Sequence, residues 1–259
     1  MNNNELGKIV DNLLNTFLDA GKIAKDIAHK GVKITIKSDN TPVTNGDLAV
    51  NKMLCEKILS LTPNIPIISE ETVDISKENK NKNFWLIDPI DGTKDYINKK
   101  DEYTLNAALI VDFKPALGII YAPEKDRLFY SYGSGKAYEI NGGVKTTLTC
   151  SKKTKIGKIF AVHSSNNISP EILEVHKQNS VFNCIKMSSS LKFCIIAAGE
   201  IDIYAAKARA FEWDIAAGHA IVEHSGGSVT TLGGKNISYG KKDYKNPAII
   251  VKRSNKLDR

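Results

Sequence analysis

The chain has 259 residues, 42% of them hydrophobic and 25% charged, enough for one large or two small domains with a full core. Its formal net charge is +7, yet the lysines are scattered through mixed loops such as Lys77 to Lys82 and short pairs such as Lys241-Lys242, in a composition rich in Lys, Asn and Ile. That is a solvated surface, not a nucleic-acid or membrane face, although its field favours an anionic substrate.

Taken in chain order, Leu6, Ile9, Val10, Leu13, Leu14, Phe17 and Leu18 fall at helical spacing, continued by Ile23 and Ile27. This predicts a long amphipathic helix ending near Gly31, its apolar stripe facing a core. Val32, Ile34 and Ile36 alternate with Lys33, Thr35 and Lys37 and predict a strand, followed by a loop at Asp39-Asn40-Thr41-Pro42. A second helix is expected from near Thr44 to about Leu61. Trp85-Leu86-Ile87 reads as a buried strand that Pro89 terminates, which leaves Asp88 and Asp91 on the turn beyond it. Residues 104–111, 116–121, 128–132 and 136–140 predict an antiparallel meander that Asn141-Gly142 ends. Gly133-Ser134-Gly135 is a turn within it, since no helix signal follows. Beyond about Ser151 the elements alternate: a strand at 159–163, a helix start at Ser169-Pro170-Glu171, then helix 190–198, strand 201–205 and helix 214–225, closed by Gly226-Gly227. The expectation is an α+β chain. Its N-terminal α+β half, 1–150, carries an antiparallel sheet and most of the acidic motifs. Its C-terminal α/β half, 151–259, completes the site, with the break near 147–155.

No apolar run is long enough to cross a membrane as a helix, and the N-terminus is polar and amphipathic, unlike a signal peptide. Cys55, Cys150, Cys184 and Cys194 show no Cys-x-x-Cys spacing. They are expected to be free thiols of a cytoplasmic protein, with no zinc site.

Three apolar segments end in acids. Ile65-Pro66-Ile67-Ile68 runs into Ser69-Glu70-Glu71, Trp85-Leu86-Ile87 into Asp88-Pro89-Ile90-Asp91-Gly92-Thr93, and Glu212-Trp213-Asp214 precedes the small-residue helix Ile215-Ala216-Ala217-Gly218-His219-Ala220. Asp-Pro and Asp-Gly alone are common turn dipeptides. Three such ends in one chain point instead to a hard-metal site of oxygen ligands, because clustered carboxylates repel unless cations join them. Gly92 permits a close approach of backbone to ligand, and Thr93 offers a hydroxyl and an N–H beside a phosphate. Glu71 reads as an exposed loop acid. Asp47, three residues after Thr44, completes a capping box as well as an acidic position.

These motifs resemble those of the inositol monophosphatase superfamily of magnesium-dependent, lithium-sensitive phosphomonoesterases. Asp88-Pro-Ile-Asp-Gly-Thr93 is similar to the first signature, Trp213-Asp214-Ile-Ala-Ala-Gly218 to the second, and Ser69-Glu70-Glu71 to the upstream metal-binding glutamate. Between them, Asp91-Gly-Thr-Lys-Asp-Tyr-Ile97, Glu102-Tyr-Thr-Leu-Asn-Ala-Ala-Leu109, Leu117-Gly-Ile-Ile-Tyr-Ala-Pro123 and Ser189-Ser-Leu-Lys-Phe-Cys194 resemble the CysQ branch, the 3'(2'),5'-bisphosphate nucleotidases. The likeness runs from about Lys37 to about Val251.

The resemblance implies a layered αβαβα sandwich with the site between its halves. It implies two or three Mg²⁺: Glu70, Asp88 and the carbonyl of Ile90 on one, and Asp88, Asp91 and Asp214 on a second. Asp47 lies near a third or polarises Thr93. Thr93, Glu70 and Asp47 are the implied catalytic residues, orienting a water for in-line attack with no phospho-enzyme. Gly92, Thr93, Lys94, His163, Ser164, Ser189, Ser190, Lys192 and Asp214 are the implied substrate contacts, with Lys192 as anchor for a second phosphate. Lys94 favours adenosine 3',5'-bisphosphate over the alternatives, an inositol monophosphate or a sugar bisphosphate. The full acidic set argues against a non-catalytic RNA-binding protein on the same fold. One departure stands out: the branch often has Tyr-Pro-Arg where this chain has Tyr204-Ala205-Ala206, with Lys207 and Arg209 nearby. The partner is a small phosphorylated molecule and no specific nucleic acid. A monomer or homodimer, cytoplasmic or peripheral on the inner membrane face, fits the family.

Overall fold

The computed structural model describes residues 1–37, 40–77, 79–150, 157–164 and 167–254. Of the sequence expectations, Asp39 in the first loop, Ser165 after the first C-terminal strand and residues 151–155 of the expected break lie outside the described residues.

Helix α1, Asn3–Lys30, starts on an Asn2–Glu5 capping box and stops at Gly31 (φ 119°), where the predicted stripe ends. It packs beside α2, Asn45–Leu61, which Thr44 caps. Both lie on one face of a seven-stranded sheet. In chain order its strands are β3 (Ile67–Ser69), β4 (Phe84–Asp91), β5 (Thr104–Val111), β6 (Lys114–Ala122), β7 (Arg127–Ser131), β8 (Ala137–Asn141) and β9 (Val144–Thr147). Only the β3–β4 pair is parallel. A hairpin of β1 (Ile34–Ile36) and β2 (Pro42–Thr44) stands apart from it, joined to the start of α2.

A second sheet has five strands in the order β11 (Val181–Lys186), β10 (Ile159–His163), β12 (Ile203–Ala206), β14 (Ile249–Lys252) and β13 (Ser228–Thr231). Helices α5 (Leu191–Ala197) and α6 (Glu212–His224) lie between the two sheets, and α4 (Pro170–Gln178) lies against β11 and β12. The layers therefore run α, β, α, β, α. The core divides accordingly. Phe17, Leu13, Trp85, Ile87 and Leu105 fill the space under α1 and α2, while Phe84, Leu86, Ile120, Phe193 and Ile221 fill the space around α5 and α6. Ile159, Ala161 and Ile203 form a small cluster with Val175 of α4.

This division orients the site. Alternate residues of a strand face opposite sides. Phe84 and Leu86 of β4 point into the α5/α6 layer, and Asp88 continues that parity toward α6. Ile68 and Glu70 share a parity at the end of β3 in the same way. The close seat of α6 comes from Gly118 of β6: a Cβ there would stand 2.3 Å from the Ala217 carbonyl oxygen.

Three sequence expectations need correction. Pro89 does not end β4. The strand continues to Asp91 through an irregularity in register, with Asp88 opposite Asn106 and Asp91 opposite Thr104. A bulge removes the need for the N–H that proline lacks. Asn141-Gly142 does not end the meander but turns a hairpin into β9, as Asn-Gly between strands does. The expected strand forms as β1, but Pro42, expected in the loop after it, opens β2 and pairs with Ile36. Strands β11, β13 and β14 were not expected. β11 carries mostly exposed residues, and β13 and β14 are four residues each, too short to show a period.

Gly118→Ala should destabilise the protein by about 1–3 kcal/mol, since its methyl would push α6 off the sheet. Urea denaturation monitored by tryptophan fluorescence measures this; an unchanged midpoint would show that the helix can retreat freely.

Candidate active site

The bulge of β4 brings its two aspartates to one end of the α5/α6 layer. Glu70 joins them because β3 pairs in parallel with β4, and its N–H donates to the Ile87 carbonyl at 3.0 Å. The end of β3 is fixed from below by Ser69 Oγ, which donates to Asn51 Oδ1 of α2 at 2.6 Å. Asp214 arrives from the first turn of α6, where its Oδ2 accepts the Phe211 N–H at 2.8 Å. The helix therefore begins at Glu212, two residues before the expected start, and Asp214 caps it while facing the cluster. Glu70, Asp88 and Asp214 each present a ligand atom within 4.8 Å of the others. Asp88 Oδ1 is buried without a hydrogen-bond partner.

The electrostatics follow from this crowding. Burial raises the Asp88 carboxyl well above the usual range, and Glu70, Asp91 and Asp214 add to it. Asp214 is raised well above its ordinary value by burial and then by Asp91 and Glu70. Burial pushes Glu70 up to about 7 against the opposing pull of Lys37, with Glu71 and Asp91 pushing the same way as burial. Asp91 is raised by burial too, though Lys192 and the Ser190 N–H oppose the shift. An orphaned buried oxygen among mutually repelling carboxylates fits a set of hard divalent cations, whose charge and coordination would satisfy both.

Gly92 sits in the left-handed region (φ 91°) and turns the chain from β4 into the short helix α3, Thr93–Ile97. Tyr96 anchors α3, its hydroxyl donating to the Ala24 carbonyl of α1 at 2.8 Å. Thr93 Oγ1 donates to the Ile90 carbonyl at 3.2 Å. Asp47 is buried at the first turn of α2, but its Oδ2 accepts from the Thr44 N–H (2.8 Å) and Thr44 Oγ1 (2.5 Å), so the capping box holds that oxygen rather than Thr93. Burial pushes Asp47 up to about 6, against those Thr44 bonds.

Residues 188–192 approach from the start of α5 and pack against the Gly92 turn, where a Cβ on Gly92 would stand 3.6 Å from that of Ser189. Ser189 takes φ 54°, a strained value for a residue other than glycine, of the kind found at functional sites. Ser190 Oγ is buried and committed to Asn106 Oδ1 (2.6 Å) and Thr104 Oγ1 (2.8 Å) of β5. It thus ties α5 to the strand opposite the two aspartates. Lys192 is only 5% exposed, and its Nζ donates to the Ser189 carbonyl. Burial lowers it to about 8, opposed chiefly by Asp91. It is therefore no solvated surface lysine.

A cavity of about 350 Å³ is lined by Asp91, Gly92, Ser189, Ser190, Lys192 and Asp214, together with Tyr204, Arg209 and Asn246. A second, of about 170 Å³, includes His163, Ser164, Ser169, Lys207 and Arg209. His163 and Ser164 thus line the smaller cavity and only Ser164 both. Lys94 is exposed on α3 and lines neither.

Sequence reasoning missed several of these residues. Glu71 is not a free loop acid: its side chain is 3% exposed and accepts from Lys37 Nζ at 2.8 Å, with Glu70 at 3.9 Å. Burial alone would lower the Lys37 ammonium, but Glu71 and Glu70 override it and raise it. No local pattern announces a pair between residues 37 and 71. Asn246 also lacked a signal beyond Asn-Pro. Its Nδ2 donates to the Phe211 carbonyl at 2.7 Å, while Oδ1 is buried and unpartnered. Glu212 accepts the Gly240 and Lys241 N–H groups at 2.9 Å each, a structural role that fixes the α6 start.

The layered fold and its carboxylate cluster between two sheets define a metal-dependent phosphomonoesterase. The sequence pattern of the inositol monophosphatase family matches residues 9–259, and the chain belongs to that family. It is 34% identical to the 3'(2'),5'-bisphosphate nucleotidase CysQ of Salmonella typhimurium over 86% of this chain and 89% of that protein. It is 35% identical to the protein of the same name from Buchnera aphidicola, over 92% and 89%. The crystal structure of CysQ from Bacteroides thetaiotaomicron superposes with a TM-score of 0.77 at 28% identity, covering 95% of this chain and 97% of the other. The four cysteines are free, and among the described residues no helix is long and apolar enough to cross a membrane.

A pH dependence follows from the raised carboxylates. A fold that holds a carboxyl above its unfolded pKa favours the protonated form, so the associated stability is complete below about pH 4 and lost as pH rises through the folded values, about 6 for Asp47 and about 7 for Glu70. In chelator, the melting temperature should therefore fall between about pH 5 and about pH 8. Added Mg²⁺ should raise it far more at the higher pH. Melts in chelator that do not vary with pH would remove the electrostatic basis of the site.

Proposed function

We propose that this chain is a magnesium-dependent 3'(2'),5'-bisphosphate nucleotidase that removes the 3'-phosphate of adenosine 3',5'-bisphosphate to leave AMP. The observation that carries the reading is Asp88, buried with an unpartnered oxygen among Glu70, Asp91 and Asp214, in a chain about one-third identical to nucleotidases of that name along nearly its whole length.

Glu70, Asp88 and the Ile90 carbonyl would hold one Mg²⁺, Asp88, Asp91 and Asp214 a second, and Asp47, whose charge acts on Glu70, would share in a third. When bound, such ions supply Lewis acidity to the phosphate and the water and charge stabilisation to the leaving oxygen. The residues of the chain do the rest. The backbone N–H groups of Gly92 and Thr93, presented by the left-handed turn, bind the phosphate oxygens. Thr93 and Glu70 flank the attacking water and align it opposite the leaving 3'-oxygen. Lys192, seated beside Asp91, offsets the negative charge of the cluster and faces the bound phosphate. Ser190 acts indirectly, its N–H on the Asp91 carboxylate and its hydroxyl on β5. Ser189 and Ser164 line the space available to the nucleotide, and His163 lies beyond Ser164 in the smaller cavity. The displacement is in-line onto water and uses no side-chain nucleophile. Lithium should inhibit by competing for one of the cation positions. A cytoplasmic location agrees with the free thiols.

Phosphate release from a panel of nucleotide, inositol and sugar phosphates tests the assignment. Adenosine 3',5'-bisphosphate should be the preferred substrate, and turnover should vanish in chelator. Equal turnover of inositol 1-phosphate would leave the family chemistry but remove the nucleotide specificity. Asp88→Asn should abolish turnover while retaining the far-UV circular dichroism of the parent. Thr93→Ala should lower kcat about 10²-fold with little change in KM, because a positioned donor matters most in the transition state. An unaltered kcat would reduce Thr93 to a helix start.

A further inference from the structure

Residues 187–190 join β11 to α5, and Ser189 in their midst is left-handed (φ 54°), a conformation that a serine does not hold unaided. Three acids from the end of β4 and the segment leading to β5 hold it there. Glu102 Oε2 accepts the Ser188 N–H at 2.8 Å, across 86 positions of the chain. Asp95, in the first turn of α3, bonds the Ser188 hydroxyl and is itself fixed by Lys100 Nζ at 2.9 Å. Asp91 accepts the Ser190 N–H. The N–H before Ser189 and the N–H after it are thus both tied to carboxylates of the other half. The chain between them closes by curling through the left-handed region.

Glu102 differs from the other two acids. Asp91 belongs to the carboxylate cluster and Asp95 lines the larger cavity, whereas Glu102 lines neither cavity. Its contact with the site runs through Ser188. What hangs on that contact is considerable. The turn it holds presents the Ser189 carbonyl to Lys192 Nζ, sets the Ser190 N–H on Asp91, and seats the Ser190 hydroxyl on Asn106 and Thr104 of β5. Glu102 also has a second route to the site: burial lowers Lys192, and the charges that raise it again include Asp91 and then Glu102. Reach to Ser188 and charge on Lys192 are separable by substitution.

We propose that Glu102 is a positioning residue for phosphate-ester hydrolysis, acting through its bond to Ser188 to hold the Ser189 turn, and with it Ser190 and Lys192, against Asp91. The proposal rests on the phosphatase reading of the site but not on which phosphate ester is preferred.

Steady-state kinetics on adenosine 3',5'-bisphosphate with saturating Mg²⁺ tests it. Glu102→Gln keeps the length of the side chain and an acceptor oxygen but loses the charge, and should stay within about threefold of the parent in kcat/KM. Glu102→Asp keeps the charge but stops a methylene short of Ser188, and Glu102→Ala keeps neither. Both should fall by about ten- to a hundred-fold, the range expected when groups around a reacting centre shift by about 1 Å. Ser189→Gly supplies a second readout, because glycine enters the left-handed region freely. Glu102→Ala should therefore cost several-fold less in a Ser189→Gly background than in the parent. If the parent hydrolyses another phosphate ester but not the bisphosphate, the nucleotidase reading fails, and the same order of variants on that ester upholds or overturns the role of Glu102. If Glu102→Asp keeps the parent activity and Glu102→Gln loses it, the charge on Lys192 is what matters and the proposal falls. It falls equally if the variants melt at lower temperature with kcat/KM unchanged, since the bond to Ser188 would then support the fold alone.

Discussion

The repulsion among buried carboxylates is the constraint around which this protein is built. Asp88 lies in a position where its charge is costly, with Glu70, Asp91 and Asp214 close by and no hydrogen bond to one of its oxygens. A fold can sustain that only if the surrounding structure holds the acids in place from several directions. Three supports meet here. The β3–β4 pair holds Glu70 next to β4, the bulge aims both aspartates, and α6 delivers Asp214 over Gly118. Each support is made of ordinary packing on one side and opens onto the cluster on the other.

The two cationic groups around the cluster divide the work. Lys37 pairs with Glu71 and reaches toward Glu70 from the β1–β2 hairpin, whereas Lys192 leans on Asp91 from the start of α5. They approach from opposite halves of the molecule, one on each side of the acids. Between them, the network of Ser190, Asn106 and Thr104 fixes the distance from α5 to β5. Because that network is fully buried, its hydroxyls and amide must remain bonded to one another, which makes the gap between the halves a fixed dimension. The ion pair of Arg127 with Glu200 ties the same halves on the far side of α5, while Glu139 of the neighbouring strand holds Arg127 in place.

The strained Ser189 and the left-handed Gly92 lie side by side at the larger cavity, where a Cβ on Gly92 would stand 3.6 Å from that of Ser189. The turn at Gly92 requires glycine and exposes N–H groups. The turn at Ser189 does so without glycine, and its carbonyl is stabilised by Lys192. A cleft bounded by two such turns presents backbone donors and fixed cations, a combination suited to a phosphorylated ligand.

While the family resemblance implied the layered fold, the sequence by itself determined the long helices, the meander and the apolar runs that end in acids. Those features are local: the stripe of α1, the capping box at Thr44 and the apolar runs ending at Glu70 and Asp88 depend on residues a few places apart. Only the tertiary structure decided the rest. Pro89 reads locally as a strand terminator, but pairing with β5 carries β4 past it through a bulge. Glu71 reads as a loop acid until Lys37 arrives from another element. Asp47 turns to Thr44 because its own helix start competes for its oxygen. Arg209 was singled out only as a neighbour of the missing branch arginine, and Ser164, 45 positions away, holds it where its charge acts on Asp91 and Asp214. Local periodicity encodes which surface a residue presents to its own element. The partner across the gap depends on long-range packing, which no short window of sequence contains.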